Sequence, residues 1–184
     1  LDERSGVVYN FQHKGDNVYH EILLPDHVDQ KFKNVSVLMN EVERVEKRKD
    51  SQLLKEALIA LPDDEELNLE DRIEITKRII ERMGWVKDGL AVQIDIHQPH
   101  DGKKNWHAHV LILMRRFAED GKSLFSLKAR DLNPEFKNSS DGKGFIIPEE
   151  TRLQDHSKDV MNEYFKEKGL SNRVDLTHVI PQEH

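Results

Sequence analysis

Alternation of apolar and polar residues predicts two β-hairpins in this chain of 184 residues. The first runs through "SGVVYNF" and "NVYHEILLP", with a turn at residues 14–17 and a stop at Pro25. The second joins "LAVQIDIH" to "WHAHVLILMRRF" through the turn-forming stretch "QPHDGKKN". Near the end, "NRVDLTHVIP" has the pattern of an edge strand. The sheet is therefore expected to be antiparallel.

Helical periodicity separates these strands. Residues 35–61 predict a helix, an interruption near residues 49–51 and a strand just before Pro62. A second helix is expected from the N-cap Asn68 to the C-cap Gly84, and a third over about residues 149–168. The segment "NSSDGKG" is expected to form a mobile loop. Helices inserted between antiparallel hairpins predict an α+β fold, a central antiparallel sheet with helices packed on it, in one domain over residues 1–184.

Composition narrows the function classes. The formal net charge of -7 argues against a protein that coats nucleic acid nonspecifically, because such binding depends on neutralising phosphates. The chain has no cysteine, which excludes disulfides and thiolate metal sites and suggests a reducing cytoplasm. Its apolar runs all fall short of the roughly 20 residues that span a bilayer, so no membrane partner is expected.

Histidines concentrate in the second predicted hairpin. Alternate residues of a strand share a face, so His107 and His109 lie on one side of their strand, and His97 lies on the polar side of the preceding strand. A turn centred at residues 101–103 places His97 beside Ala108, within reach of both other histidines. Three neutral imidazoles suit zinc, manganese, nickel or a similar divalent ion and leave coordination positions open.

Two acidic residues are candidates to support such a site. Asp95 shares the face of His97, and its carboxylate is expected to accept an imidazole N–H or to join the ligands. Glu43, in a run of glutamates at helical spacing, is a further candidate to approach the metal. The alternatives are half-buried structural histidines and a solvated acidic helix face.

Several stretches resemble one protein family. His107-Ala108-His109 is similar to the His-hydrophobic-His signature of the HUH endonucleases, and "IHQPHDGKKNWHAHVLILMRR" resembles a motif of the MobA/MobL-type conjugative relaxases, the TraA-like branch in particular. "VVYNFQHKGDNVYHEILLP", "KARDLN" and "GLSNRVDLTH" follow the same order as in that family. The likeness covers most of the chain.

The resemblance implies a bacterial nickase that cuts one DNA strand at a plasmid transfer origin. A tyrosine would attack the scissile phosphate while a divalent ion (Mn, Mg, Zn or Ni) held by His97, His107 and His109 polarises it. Arg115, Lys128 and Arg130 are then candidates for contacts to DNA phosphates. Expected partners are single-stranded DNA of the transfer origin and other proteins of the relaxosome and secretion channel.

The nucleophilic tyrosine of that family lies in a segment that precedes the part matched by "LDERSGVVYNF". Tyr9, Tyr19 and Tyr164 have the surroundings of ordinary strand or core tyrosines, so the chain is expected to lack this N-terminal segment. Two other functions fit the same histidines: a rolling-circle replication initiator and a non-catalytic, metal-stabilised DNA-binding module. A small-molecule hydrolase or lyase would need a closed pocket instead.

Overall fold

The computed structural model describes residues 16–100, 102–132 and 149–170. These residues form strands, α-helices and two short 3-10 helices, Gln30–Lys33 and Arg130–Leu132. In chain order the main elements are β1 (Asn17–Leu23), α1 (Val35–Val45), β2 (Leu54–Ala60), α2 (Leu69–Met83), β3 (Val92–His97), β4 (His107–Leu113), β5 (Arg115–Phe117), β6 (Phe125–Lys128) and α3 (Glu149–Glu167). Antiparallel strands combined with helices confirm the predicted α+β class.

The predicted elements that fall on described residues are present, with one change. The strand expected through "WHAHVLILMRRF" is divided at Met114 into β4 and β5. It divides because the backbone of Met114 bonds to Leu53 and Ala129, and β5 then pairs with β6 in a separate two-stranded sheet. The first strand of the amino-terminal hairpin, the loop at 138–144 and the edge strand at 172–181 lie outside the described residues.

The main sheet has the strand order β1-β3-β4-β2, and all neighbours are antiparallel. One face carries aliphatic residues of β3 and β4 that are at most 1% exposed: Val92, Ile94, Ile96, Ala108, Val110 and Ile112. The helices α2 and α3 pack on this face through residues such as Ile75 and Phe165. Among the described residues, no helix is long and apolar enough to cross a membrane.

The opposite face of the sheet differs between its two ends. At one end α1 and the first 3-10 helix cover the sheet, where Leu38 and Phe32 join Ile22 and Leu113 in a second apolar cluster. The other end holds the start of β4 at His107, roughly 20 Å from Leu113 at the rise per residue of an antiparallel strand. One end of this face is therefore apolar and covered by helices, and the other end is polar and carries the histidines.

A capping box begins α2. The Asn68 side chain accepts a hydrogen bond from the Asp71 backbone N–H at 2.9 Å, and the Asp71 carboxylate accepts one from the Asn68 N–H at 2.9 Å. Asp71 also accepts the hydroxyl of Tyr164 at 2.6 Å, which ties α3 to the start of α2. The helix ends at Gly84, whose φ of 75° is in the left-handed region that glycine tolerates.

Replacing this cap is expected to destabilise the domain modestly. Asn68→Ala removes the acceptor for the Asp71 N–H and should lower the free energy of unfolding by about 1 kcal/mol. Urea denaturation followed by circular dichroism measures the change. Glu65→Ala, an exposed position in the preceding loop, is the control and should change it by less than about 0.5 kcal/mol.

The loop between β2 and α2 is anchored by one buried arginine. Arg72 is 3% exposed, and it donates to three backbone carbonyls of this loop, those of Pro62, Asp64 and Leu67. Its guanidinium also lies 4.2 Å from the centre of the Trp106 ring. From the same loop, Asp63 accepts the backbone N–H groups of Asn105 and Trp106 at 2.9 and 3.0 Å. The start of β4 is thus fixed from outside its own sheet partners.

Candidate metal centre

Three histidines converge at the open end of the sheet. His97 closes β3 and lies directly opposite His107, while His109 follows two residues along β4 on the same face. The ring centroids are 4.6 to 5.0 Å apart, and one nitrogen from each ring lies within 4.8 Å of the others. Within the part of the chain that the structure describes, this is the one group of three or more potential metal ligands.

The register differs from the predicted one by a residue. The sequence placed His97 beside Ala108, but Ala108 lies opposite Ile96. Residues directly opposite in an antiparallel pair share a face. Pairing His97 with Ala108 would therefore have put His97 on the apolar face, away from the other two histidines. The observed register keeps all three imidazoles on one side and Ile96 in the core.

Each imidazole has an oxygen near its Nδ1 atom. Asp16 Oδ2 lies 3.4 Å from His97 Nδ1, the backbone oxygen of Asn105 lies 2.7 Å from His107 Nδ1, and Glu56 Oε1 lies 3.2 Å from His109 Nδ1. Carbonyl and carboxylate oxygens only accept, so these contacts favour the tautomer with the proton on Nδ1. In that tautomer the Nε2 atom carries the lone pair that a metal ion needs.

This donor set fits a divalent cation. Three neutral nitrogens leave at least one coordination position for water or a substrate oxygen, as in metal sites that act on substrates rather than purely structural ones. All three side chains are partly exposed, so a ligand can reach them from solvent. Imidazole nitrogens bind zinc, nickel, manganese and similar ions, and the residues do not select among them by type alone.

Asp95 lies on the same face but is bound elsewhere. It sits opposite His109 in the register, yet its carboxylate accepts hydrogen bonds from Asn17 at 2.9 Å, His20 at 2.8 Å and Gln93 at 2.7 Å. Burial acts to raise the pKa of Asp95, but these donors outweigh it and the net pKa is lowered. Asp95 thus makes its hydrogen bonds to Asn17, His20 and Gln93, and its supporting role at the triad stays a prediction.

Glu43 is also apart from the histidines. It lies on α1 and lines a cavity of about 300 Å³ between that helix and the sheet, together with Leu38, Gln93 and Leu111. Neither Glu43 nor Asp95 belongs to the group of potential ligands found among the described residues. A supporting role for Glu43 stays a prediction.

Of the basic residues expected to contact DNA, two form ion pairs within the fold and one is exposed to solvent. Arg115 donates twice to Glu46 Oε1, at 3.0 and 2.9 Å, and Lys128 Nζ lies 3.3 Å from the same oxygen. Glu46 is 7% exposed, so this is a largely buried ion cluster that joins the end of α1 to β5 and β6. Arg115 also lies roughly 20 Å along the chain direction from His109. The geometry favours structural roles for Arg115 and Lys128, whereas Arg130 is exposed and its DNA contact stays a prediction.

Neither described tyrosine faces the histidines. Tyr19 lies opposite Ile96, on the core side of the sheet. Tyr164 is 5% exposed between α2 and α3, where burial and the hydrogen bond to Asp71 raise its pKa to about 12. Tyr9 lies outside the described residues.

Comparisons with known proteins point in one direction. The chain is 30% identical over 129 residues to the probable mobilization protein MobA of Bifidobacterium longum, covering 70% of this chain and 22% of that protein. It is 27% identical over 162 residues to the mobilization protein MobL of Acidithiobacillus ferridurans, covering 72% and 39%. It is 28% identical over 133 residues to the conjugal transfer protein TraA of Agrobacterium fabrum, covering 65% and 11%. The chain thus spans well under half of these relatives.

A solved structure from work on the molecular basis of vancomycin resistance transfer in Staphylococcus aureus is similar as well. It has 29% sequence identity and a TM-score of 0.63, with 86% of this chain and 75% of that chain covered. The model of the MobA/MobL family matches residues 1–182, nearly the whole sequence. The chain therefore belongs to the MobA/MobL family.

Proposed function

We propose that this chain carries the nicking domain of a mobilisation relaxase, which cleaves one strand of DNA at a plasmid transfer origin. The observation that carries the proposal is the triad of His97, His107 and His109, with ligand nitrogens within 4.8 Å, on an accessible sheet face. Membership of a family whose relatives are mobilization and conjugal transfer proteins supports the assignment to DNA transfer.

The three histidines would hold a divalent ion, Mn, Mg, Zn or Ni, through Nε2. Such an ion supplies charge neutralisation at the nonbridging oxygens of a scissile phosphate. The chain contributes the orientation of the rings, because the oxygens near Nδ1 fix which nitrogen is free. It also contributes the rigid start of β4, which the loop before α2 holds in place. A preorganised site of this kind needs little rearrangement when the substrate arrives.

The nucleophile in this proposal is a tyrosine outside the described residues, since Tyr19 and Tyr164 face away from the histidines. Its hydroxyl oxygen would attack the phosphorus, form a phosphotyrosine bond and release the 3′ oxygen of the neighbouring nucleotide. The proton of the tyrosine would leave to a nearby base.

Single-stranded DNA is the proposed partner, with other relaxosome and secretion-channel proteins, in the bacterial cytoplasm. The net charge of -7 requires that phosphate contacts be local. Lys103 and Lys104 are exposed in the loop between His97 and His107, adjacent to the triad. We assign them the first phosphate contacts because they are exposed cations in the loop that joins two of the three histidines. DNA binding through so few cations should weaken as the salt concentration rises.

A nicking assay tests the proposal. A labelled single-stranded oligonucleotide with the cognate transfer origin is incubated with MnCl₂ and with this chain, or with a form that includes any coding sequence before Leu1. Denaturing gels report the cut, and protein gels report a covalent adduct. A metal-dependent cut with an adduct, absent with a scrambled oligonucleotide, is the expected result. Tyr9→Phe in either form identifies or removes Tyr9 as the nucleophile.

Other outcomes favour the alternatives. Metal and cognate DNA binding without a cut by either form would contradict a nickase and leave a metal-stabilised DNA-binding module. Cleavage at a replication origin in preference to a transfer origin would favour a rolling-circle initiator.

A further inference from the structure

The oxygens around the histidine triad are not equivalent. His107 is oriented by a backbone carbonyl, that of Asn105, whereas His97 and His109 each face a carboxylate, Asp16 and Glu56 respectively. The two carboxylates come from opposite edges of the sheet, because Asp16 immediately precedes the edge strand β1 and Glu56 lies on the other edge strand, β2. The triad is therefore flanked by negative charge on both sides.

We propose that Asp16 and Glu56 are positioning residues of the metal centre, which hold His97 and His109 with Nε2 free and strengthen their binding of a divalent cation. The inference rests on the metal site of the proposed function and adds the residues that tune it. A carboxylate beside the N–H of an imidazole makes the other nitrogen a stronger ligand. Two carboxylates also balance the charge of a divalent ion bound by neutral rings.

Asp16 has the stronger case. Its backbone is fixed, because its carbonyl oxygen accepts the N–H of Gln98 at 2.8 Å, on the residue that follows His97. Its Oδ1 atom is buried and has no hydrogen-bond partner among the described residues. A buried carboxylate oxygen without a donor is unfavourable. A cation bound by the adjacent imidazole would attract this negatively charged oxygen and so reduce the free-energy cost of burying it. The metal site thus explains why a carboxylate oxygen can be buried at this position without a donor.

Glu56 reaches the triad from the neighbouring strand. It lies opposite Leu111 in the register, and the next residue on its face, Leu58, lies opposite His109. The Glu56 side chain is 64% exposed, compared with 26% for Asp16. Water screens an exposed carboxylate more strongly, so Glu56 should contribute less than Asp16.

Calorimetric titration of the full chain with MnCl₂ tests this ranking. Asp16→Asn keeps the shape of the side chain and removes its charge, and it should weaken Mn²⁺ binding roughly 10- to 100-fold, in the range of other residues that orient metal ligands. Glu56→Gln should weaken binding by a smaller factor. Asp155→Asn on α3 and Glu119→Gln after β5 remove the same charge at exposed positions away from the triad, and both should bind Mn²⁺ like the wild type.

A second measurement separates positioning from a general effect on structure. Imidazole ¹⁵N NMR of the metal-free chain reports which ring nitrogen carries the proton. The wild type should show His97 and His109 protonated at Nδ1, and Asp16→Asn should shift this equilibrium for His97 alone. If Asp16→Asn does not fold, the exposed Glu56→Gln carries the same test on His109.

The outcomes distinguish this inference from the proposed function. A wild-type chain that does not bind Mn²⁺ would overturn the metal site itself. Wild-type binding together with unchanged affinity and unchanged protonation in both Asp16→Asn and Glu56→Gln would overturn only the role given to these two carboxylates. Weaker binding by both variants, with Asp155→Asn and Glu119→Gln unaffected, would support it.

Discussion

Replacing His107 with alanine is expected to abolish tight binding of a divalent ion while the fold is retained. In the proposed metal site His107 supplies one of three ligand nitrogens, and its ring centre lies 5.0 Å from those of His97 and His109. Loss of a direct ligand should weaken Mn²⁺ binding at least roughly 100-fold, more than the loss of a residue that only orients one. Calorimetric titration measures the affinity, and circular dichroism with thermal unfolding checks the fold.

His100→Ala is the matched control for this variant. His100 lies in the exposed loop between β3 and β4, and it is not part of the group of potential ligands. Its substitution should leave affinity and stoichiometry unchanged. Unchanged stoichiometry in His107→Ala would remove the triad as the metal site. A collapse of the fold on removal of the metal from the wild type would indicate a structural ion instead.

Replacing Glu46 with alanine is expected to cause the largest loss of stability among the substitutions considered. The change leaves Arg115 and Lys128, with side chains 23% and 15% exposed, without the carboxylate that balances them. Breaking a largely buried ion cluster from one side should cost about 2–4 kcal/mol. Urea denaturation at pH 7 measures the free energy of unfolding. Glu119→Ala, at an exposed position, is the control and should change it little.

The stability contributed by Glu46 should also depend on pH. Burial acts to raise the pKa of Glu46, but hydrogen bonding from Arg115 and the charge of Lys128 outweigh it, so the folded-state pKa lies below the ordinary 4.5. A lowered folded-state pKa stabilises the fold above pH 4.5, and this contribution disappears as the pH falls through the folded-state pKa. The difference between wild type and Glu46→Ala should therefore shrink in urea titrations near pH 3. An equal difference at pH 7 and pH 3 would contradict the role of the charged carboxylate.

The three histidines could be found from the sequence because strand periodicity is local. His107 and His109 share a face whatever they pair with, and the turn-rich residues after His97 indicate a hairpin. The register needed one more constraint. Ile96 must face the core that α2 and α3 cover, and this requirement fixes His97 opposite His107.

The residues around the triad could not be found in the same way. Glu56 meets His109 only because β2 lies beside β4, a neighbour relation between strands separated by α2 and β3 in the chain. Asp16 lies in a predicted turn, where aspartate is common for local reasons. Asp95 was correctly placed on the polar face, but its partners Asn17 and His20 come from β1. The partners of Glu56, Asp16 and Asp95 therefore depend on the order of strands in the sheet, which local sequence patterns do not reveal.

The sequence also did not reveal which basic residues are ion-paired within the fold. Arg115 and Lys128 lie close to the histidine stretch in sequence, and positive charge there is typical of a DNA-binding surface. The structure instead gives both a buried acceptor at the end of α1, Glu46, which sequence proximity alone does not reveal. Charge indicates a DNA contact only where the side chain is exposed, as it is for Arg130.

Both ends of the loop between His97 and His107 are fastened to other parts of the fold. Gln98 bonds to the backbone of Asp16, and Asn105 and Trp106 bond to Asp63. The length and composition of the residues between these anchors are consequently uncoupled from the geometry of the triad. In the proposed function, exchange of this loop between relatives would change the phosphate contacts assigned to Lys103 and Lys104 and leave the three histidines in place. Under that proposal, the strength of DNA binding and the arrangement of the metal ligands can change independently in evolution.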